Sequence, residues 1–217
     1  MAELVLAHDT GTTGNKASLF DVQGRLLCSA FVGYQTHYPR PGWAEQDMDS
    51  VWEAAYKTIR ECAEVSKTAG SEIAGVSVSG QGGGMWLIDQ QGRPVRKGIT
   101  WLDGRSGTAC NDWETSGLLT EIDDFTGYHT FPGVGPLTLF YWFKDNDPNI
   151  LKAGYKNLWA KDWIKFMLTG IAATDETDPS KGHFKLGERT FSRELCKMLG
   201  IEKYWNLLPE IIPSCGA

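Results

Sequence analysis

Apolar residues run from Leu4 through Val5 and Leu6 to Ala7, give way to a Gly- and Thr-rich stretch over 9–14, and resume over 16–20. This predicts a buried strand, a tight turn and a returning strand. A second turn over 21–24 and a third strand over 26–32 continue the meander. Pro39, Pro41 and Gly42 then forbid regular structure until Ser50 and Glu53, an S-x-x-E capping box that opens a long helix. Trp52, Ala55, Ile59, Cys62 and Ala63 share one face of that helix and are expected against the sheet, whereas Glu53, Lys57, Arg60 and Glu64 face water. Alternation returns over 73–79, and a strand that arrives from a helix is expected to lie parallel to the first one through a crossover.

SGQGGGM follows over 79–85, with four glycines in seven residues around Gln81. Here the chain must turn tightly or let a ligand touch the backbone. A strand over 85–89, a turn over 90–93 and a short extended stretch over 99–101 lead into LDGRSG. Glycine-bearing turns at Gly11, Gly82 and Gly104 thus follow strand ends, which is where ligands gather in open α/β sheets. The second half is more helical. A helix over 137–143 stops at DNDP, Asp162 caps a helix closed by Gly170, with Trp163, Phe166 and Met167 on one face, and a helix over 192–199 ends at Gly200. The last stretch, LPEIIPSCGA, offers no capped helix or clear closing strand and is read as the edge of a domain from a longer chain.

With 217 residues and 41% hydrophobic content the chain can bury a sizeable core as one large domain or two small ones. Its 21 basic and 27 acidic residues give a net charge of −6 without a block of like charges. That argues against nucleic acid as a partner, since a phosphate backbone asks for a basic face. Five scattered cysteines without CxxC spacing fit reduced thiols rather than a disulfide framework or zinc site. No signal peptide or membrane-length apolar run is present, so the cytoplasm is the expected compartment. The four histidines, at 8, 37, 129 and 183, stand far apart and are read as structural or surface residues.

The turn after the first strand carries candidate chemistry. Gly11 and Gly14 let backbone amides approach a ligand, Thr12 and Thr13 add hydroxyls, and Lys16 adds positive charge; such a tip suits phosphate. Asp9 suits a magnesium ion held through water, because that cation favours one or two carboxylates plus phosphate oxygens. An ordinary hairpin turn has the same composition.

Three motifs stand in fixed order: DTGTTGNK over 9–16, PGWAEQD over 41–47, and SGQGGG with TWLDGR between 79 and 105. Together they resemble the amino-terminal half of the FGGY carbohydrate kinases, the family of glycerol, xylulose, ribulose and related sugar and polyol kinases. The resemblance runs from about residue 4 to the end. It implies an α/β, ribonuclease H-like fold shared with actin, hexokinase and heat-shock ATPases, with a mixed sheet flanked by helices and a cleft between two domains. Residues 1–217 would be the amino-terminal domain, the carboxy-terminal nucleotide domain lying outside this chain. Gly11, Thr12, Thr13 and Lys16 would face the ATP phosphates and Asp9 the Mg2+. Gln81, Gly82, Gly83, Trp101, Asp103 and Arg105 would build the sugar side, an indole offering a flat wall to sugar C–H groups while carboxylate and amide bond hydroxyls. A homodimer is allowed for the full-length protein.

Each residue also has a plainer reading. Trp101 is one of nine tryptophans, most of them core; Asp103 and Arg105 are a surface pair worth almost nothing; Gly82 to Gly84 is only a tight loop. Trp43 and Glu45 are read as structural, and the acidic TDETDPS over 174–180 as a solvated loop. The family's general base, an aspartate early in the second domain, has no match here, so the isolated chain is expected to bind sugar weakly and to turn over ATP barely or not at all. Two departures bear on substrate. Gly83 stands where D-xylulose kinases carry histidine, which removes a donor and leaves room, and the P-x-x-K-x-x-W pattern appears as Pro136, Leu139 and Trp142 without its lysine. These features resemble the kinases of L-xylulose and related ketoses, whereas glycerol is disfavoured because no Arg-Glu pair occupies Gly82 and Gly83. A non-catalytic sugar-binding domain and, more remotely, an actin-like or chaperone ATPase are the competing readings.

Overall fold

The structure is a computed structural model that describes residues 4–66 and 72–215. Strands β1 (Leu4–Thr10), β2 (Gly14–Asp21) and β3 (Leu26–Gly33) form the expected antiparallel meander. Two short strands, β4 (Thr36–His37) and β5 (Glu45–Gln46), precede helix α1 (Met48–Ser66). Strand β6 (Ile73–Gly80) then lies parallel to β1, so the sheet runs β3-β2-β1-β6 as the crossover requires.

Alternation decides which face of this sheet is covered. Leu6, His8 and Thr10 of β1 pair with Leu19, Ala17 and Asn15 of β2, and all six are buried. They pack beneath α1, whose Cys62 joins Leu6, Ala17, Leu19 and Ala30 in one cluster, and Asn15 Nδ2 donates to the Val51 carbonyl at 2.6 Å. The opposite face, with Val5, Asp9, Lys16 and Phe31, is open.

Helix α1 departs from expectation at its start. Asp47, not Ser50, is the cap: its Oδ1 accepts the Ser50 N–H at 2.9 Å, and the buried Met48 anchors the first turn in the core. The helix therefore turns a slightly different face inward, burying Val51, Ala54, Ala55, Thr58 and Cys62 and leaving Trp52 and Ala63 half-buried.

Strand β7 (Trp86–Ile88) is buried on both faces, between two cores. Strand β8 (Gly98–Ile99) pairs with β5. Helices α2 (Gly107–Ser116), α3 (Leu118–Thr126), α4 (Pro136–Asn146) and α5 (Pro148–Ala153) lead to β9 (Lys156–Leu158), which pairs with β7. Leu87 points into the larger core with Ile99, Trp113, Leu139, Phe140 and Phe143. Trp86 and Ile88 point the other way, into a cluster with Met48, Val51 and Trp163.

Helix α6 (Ala160–Thr169) begins before the predicted cap. Asp162 sits inside the first turn, where its Oδ2 accepts the Trp159 N–H at 3.4 Å. Gly170 closes the helix in the left-handed conformation as expected. After β10 (Ala173–Thr174), Ser192 caps α7 (Arg193–Met198) by accepting the Leu195 N–H at 3.2 Å. A 3-10 turn over Glu202–Leu207 precedes β11 (Glu210–Ile211), which pairs with β10 and supplies the closing strand that two residues are too short to reveal as a pattern. The five cysteines are all free.

Candidate functional site

The β1–β2 turn closes through Gly11 N–H to the Gly14 carbonyl at 3.0 Å. Asp9 and Lys16 are direct cross-strand partners, which puts both side chains on the open face of the sheet. Asp9 Oδ1 accepts the Ser79 hydroxyl of β6 at 2.8 Å. Its Oδ2 makes no hydrogen bond to the described residues, and the side chain is exposed. One oxygen oriented and one free suits a hard cation reached through water. No group of three or more His, Cys, Asp or Glu side chains among the described residues would hold a metal ion by itself. A cation here would rest on Asp9, water and ligand oxygens.

The Gly80–Gly84 loop is fastened to this turn. Gln81 N–H donates to the Thr10 carbonyl at 2.8 Å, and its side-chain Nε2 reaches Gln46 Oε1 at 2.7 Å and the Gly11 carbonyl at 3.4 Å. Gln46 in turn donates to the Thr12 carbonyl at 2.8 Å. The third loop joins through Trp101, whose indole Nε1 donates to Thr12 Oγ1 at 3.1 Å. The three loops thus meet at one edge, and Trp101 is 44% exposed rather than core.

Asp103 and Arg105 are not a surface pair. Both side chains are fully buried. Asp103 Oδ1 accepts Arg105 Nε at 2.8 Å and Arg105 N–H at 2.9 Å, while Oδ2 accepts the Ala44 N–H at 2.7 Å and Arg105 Nη2 at 2.9 Å. Arg105 Nη2 also donates to Glu45 Oε1 at 2.6 Å, and Arg96 pairs with that same oxygen. The guanidinium lies 3.9 Å from the centre of the Trp43 ring, with Trp142 and Phe143 further round it. This clamp ties the 42–46 segment to the Trp101 loop. It gives Trp43 and Glu45 their structural role.

Gly83 and Gly84 both adopt φ of 76°. A Cβ at Gly83 would meet the Gly133 carbonyl at 2.6 Å and Trp101 Cβ at 3.0 Å. The expectation that Gly83 leaves room is therefore corrected: the 131–134 segment fills the space. At Gly84 a Cβ would fall 2.0 Å from the Ile99 carbonyl.

A cavity of about 240 Å³ opens beside these loops, lined by Gly82, Gly83, Trp101, Tyr128, Phe131, Gly133, Val134 and Lys181. Of the residues predicted for the sugar side, Gly82, Gly83 and Trp101 reach it. Gln81, Asp103 and Arg105 are not among its lining residues. Sequence reasoning missed Tyr128, Phe131 and Gly133, although TGYHTFPG over 126–133 carries the signature of an aromatic-bearing turn.

It also missed the charge network under the acidic loop. Lys161 Nζ lies 2.9 Å from Asp162 Oδ1 and 3.3 Å from both Asp175 Oδ1 and Asp178 Oδ2. Burial opposes the Lys161 charge, but these three carboxylates outweigh it and its pKa is raised. Burial also pushes Asp175 upward, yet the Thr177 hydroxyl and N–H together with Lys161 and Lys165 hold it down at about 2. At Asp178 burial wins over Lys161 and Lys181, and its pKa is raised. The 174–180 segment is a braced wall beside the cavity rather than a solvated loop.

The fold defines an α/β protein of the ribonuclease H-like, actin-like ATPase type, with a mixed sheet and a glycine- and threonine-rich turn at its edge. The chain belongs to the FGGY family of carbohydrate kinases, its residues 4–216 matching the N-terminal domain of that family. It is 29% identical over 210 residues to a probable L-xylulose kinase of Pasteurella multocida, covering 96% of this chain and 43% of that protein. It is 31% identical over 223 residues to a glycerol kinase of Rippkaea orientalis, covering 98% and 44%. The crystal structure of ligand-bound xylulose kinase from Lactobacillus acidophilus superposes with a TM-score of 0.87 at 27% identity, over 96% of this chain and 42% of that one. The chain thus spans less than half the length of these relatives. No helix among the described residues is long and apolar enough to cross a membrane.

Proposed function

We propose that this chain is the sugar- and phosphate-facing half of a kinase that transfers phosphate from ATP to a hydroxyl of a ketopentose or related sugar or polyol. The observation that carries this reading is the Trp101–Thr12 hydrogen bond, which joins the wall of the cavity to the phosphate-type turn. Gly11, Thr12, Thr13 and Lys16 contact the ATP phosphates, and Asp9 holds Mg2+ through water. The cation neutralises phosphate charge, and phosphoryl transfer needs little else from a protein beyond positioning. Gly82, Gly83 and Trp101 contact the sugar. Gln81 positions the turn against it, and Asp103 and Arg105 act from behind by fixing the Trp101 loop.

The relatives' names cover L-xylulose, 3-keto-L-gulonate, gluconate and glycerol. A xylulose-type substrate is favoured because Gly82 and Gly83 supply no charged pair for a triol. The general base is assigned to a second domain, since the cavity presents no carboxylate among its lining residues. That same lack favours a second reading, a sugar-binding domain without chemistry. Assaying ATP-dependent phosphate transfer by the complete gene product with L-xylulose, D-xylulose, ribulose and glycerol separates the two. Transfer to one of them is expected. Binding without transfer supports the second reading, and neither binding nor transfer overturns both.

A further inference from the structure

Two of the five thiols stand against each other. Cys28 of β3 is the direct cross-strand partner of Leu19, and Leu19 lies on the face of the sheet that α1 covers. The Cys28 side chain therefore points towards α1. On the helix, Cys62 is fully buried among Leu6, Ala17, Leu19 and Ala30, and Cys28 packs against that same cluster. Cys62 Sγ donates to the Ala17 carbonyl at 3.6 Å. Burial and then the neighbouring Cys28 thiol push the Cys62 pKa up to about 12, with the Ala30 N–H pulling the other way.

Cys110 and Cys196 show what mere company in a core does. Both are buried in the larger cluster and burial pushes each thiol up to about 11, yet neither is a cause of the other's shift. The Cys28 and Cys62 pair differs in access too. Cys28 is half-buried, whereas Cys62 is closed off behind it. A small oxidant can thus reach one sulfur while the second waits beside it.

We propose that Cys28 and Cys62 form a redox modification site, at which a hydroperoxide converts the thiol pair into a disulfide that staples β3 to α1. The Cys28 thiolate attacks the peroxide: an S–O bond forms as the O–O bond breaks, and the leaving oxygen takes up a proton as alcohol, or as water from hydrogen peroxide. The Cys62 sulfur then attacks the Cys28 sulfenic sulfur. The S–S bond forms, the S–O bond breaks, and the departing hydroxide leaves as water with the Cys62 proton. Two thiols lose two electrons and one peroxide gains them. A pKa so far above neutral keeps Cys62 a thiol, so Cys28 reacts first. Joining residues 28 and 62 constrains the unfolded chain and fastens the meander that bears the Gly11–Gly14 turn to its covering helix.

The test uses the chain carrying Cys215→Ser, which removes the exposed thiol. It is treated with hydrogen peroxide at neutral pH, remaining thiols are alkylated after denaturation, and tryptic peptides are weighed; Arg60 separates the two cysteines. A peptide pair joined through Cys28 and Cys62 is expected, with Cys110 and Cys196 still alkylated. The thermal midpoint should rise by about 5 °C or more on oxidation and return with dithiothreitol. Cys62→Ala should leave Cys28 as a sulfenic acid trapped by dimedone, and Cys28→Ser should leave Cys62 a thiol. Absence of the Cys28–Cys62 cross-link in the folded chain overturns the proposal, as does a midpoint that stays or falls when the cross-link forms. Oxidation of Cys62 in the Cys28→Ser variant overturns the order of attack. Should Cys62→Ala fail to fold, the unaltered pair and Cys28→Ser still decide the outcome. Neither sugar nor nucleotide enters these readings, so the kinase proposal stands or falls separately.

Discussion

Trp101 donates its indole N–H to the hydroxyl of Thr12 at 3.1 Å, across 89 residues of chain. One end of that bond is a wall of the sugar-sized cavity, and the other is the turn proposed for phosphate. The contact is partly exposed and carries little of the fold's stability. Its worth lies in fixing the indole plane.

Trp101→Phe keeps the ring and loses the donor, so ligand affinity should fall about two- to tenfold, matching one neutral hydrogen bond of ~0.5–1.5 kcal/mol. Thr12→Val should produce the same loss, and the double variant should show no further loss because both changes remove one contact. Unfolding free energy should move by less than about 0.5 kcal/mol in each, as for other exposed positions. Fluorescence titration and urea unfolding read both quantities. Additive losses in the double variant would break the proposed link.

The Asp103–Arg105 pair should behave in the opposite way. Asp103→Ala strands the Arg105 guanidinium and the Ala44 N–H in a buried site, so urea unfolding should report a loss of about 3–5 kcal/mol. Arg105→Lys should rescue little, because a single ammonium cannot reproduce the fork that meets both Asp103 oxygens and Glu45. Losses below about 1 kcal/mol, the range of exposed pairs, would mean that the clamp is not as buried as described.

The two pairs show what the residue pattern alone could carry. The meander, the crossover strand and the glycine-terminated helices were legible because each is written in local periodicity and turn chemistry. So was the meeting of Asp9 and Gly82, because β1 and β6 are neighbours in one sheet; Trp101 follows β8 of the separate β4-β5-β8 sheet and joins them through its bond to Thr12, which strand order in one sheet does not explain. Helix starts were harder to place: Asp47 and Ser50 are equally good caps by composition, and only the burial of Met48 decides between them. The roles of Asp103, Gly83 and Lys181 were not legible. Each depends on which distant segment packs against it, and in every case the partner, Ala44, Gly133 or Gly82, is a small residue whose backbone or bare Cα makes the contact.

Gly84 and Gly170 give a controlled comparison, since both hold nearly the same left-handed φ. At Gly170 nothing lies within 4 Å of an added Cβ, so Gly170→Ala should cost only the conformational penalty, about 1–2 kcal/mol. At Gly84 the added atom meets the Ile99 carbonyl, which already accepts the Met85 N–H at 2.9 Å. Gly84→Ala should therefore lose that bond as well and cost more than about 3 kcal/mol, or fail to fold. Equal costs in the two variants would contradict the packing described.

Stability should also fall in mild acid. His183 is wholly buried and burial pushes its pKa down to about 4. The unfolded chain protonates this imidazole near pH ~6.5, so stability is intact above that pH and drains away as pH falls towards about 4. A difference of this size is worth roughly 3 kcal/mol. His8 is lowered in the same direction by burial, with Asp9 partly opposing. Below that window Asp175, held at about 2, continues the loss. Thermal midpoints between pH 7.5 and 4.5 should decline in the unaltered chain and decline less in His183→Gln. A flat profile would show that His183 is protonated in the fold.

The three aromatic rings around Arg105 have one more effect. Dissolved ions cannot come between the guanidinium and its carboxylates, so this attraction is not diluted by electrolyte as an exposed pair is. The indole wall keeps one shape in dilute buffer and in brine, while the outward-facing Lys181 does feel counterions. The fastening of the Trp101 loop is thus indifferent to added salt, because Arg105 lies wholly buried behind the cavity and not in its wall.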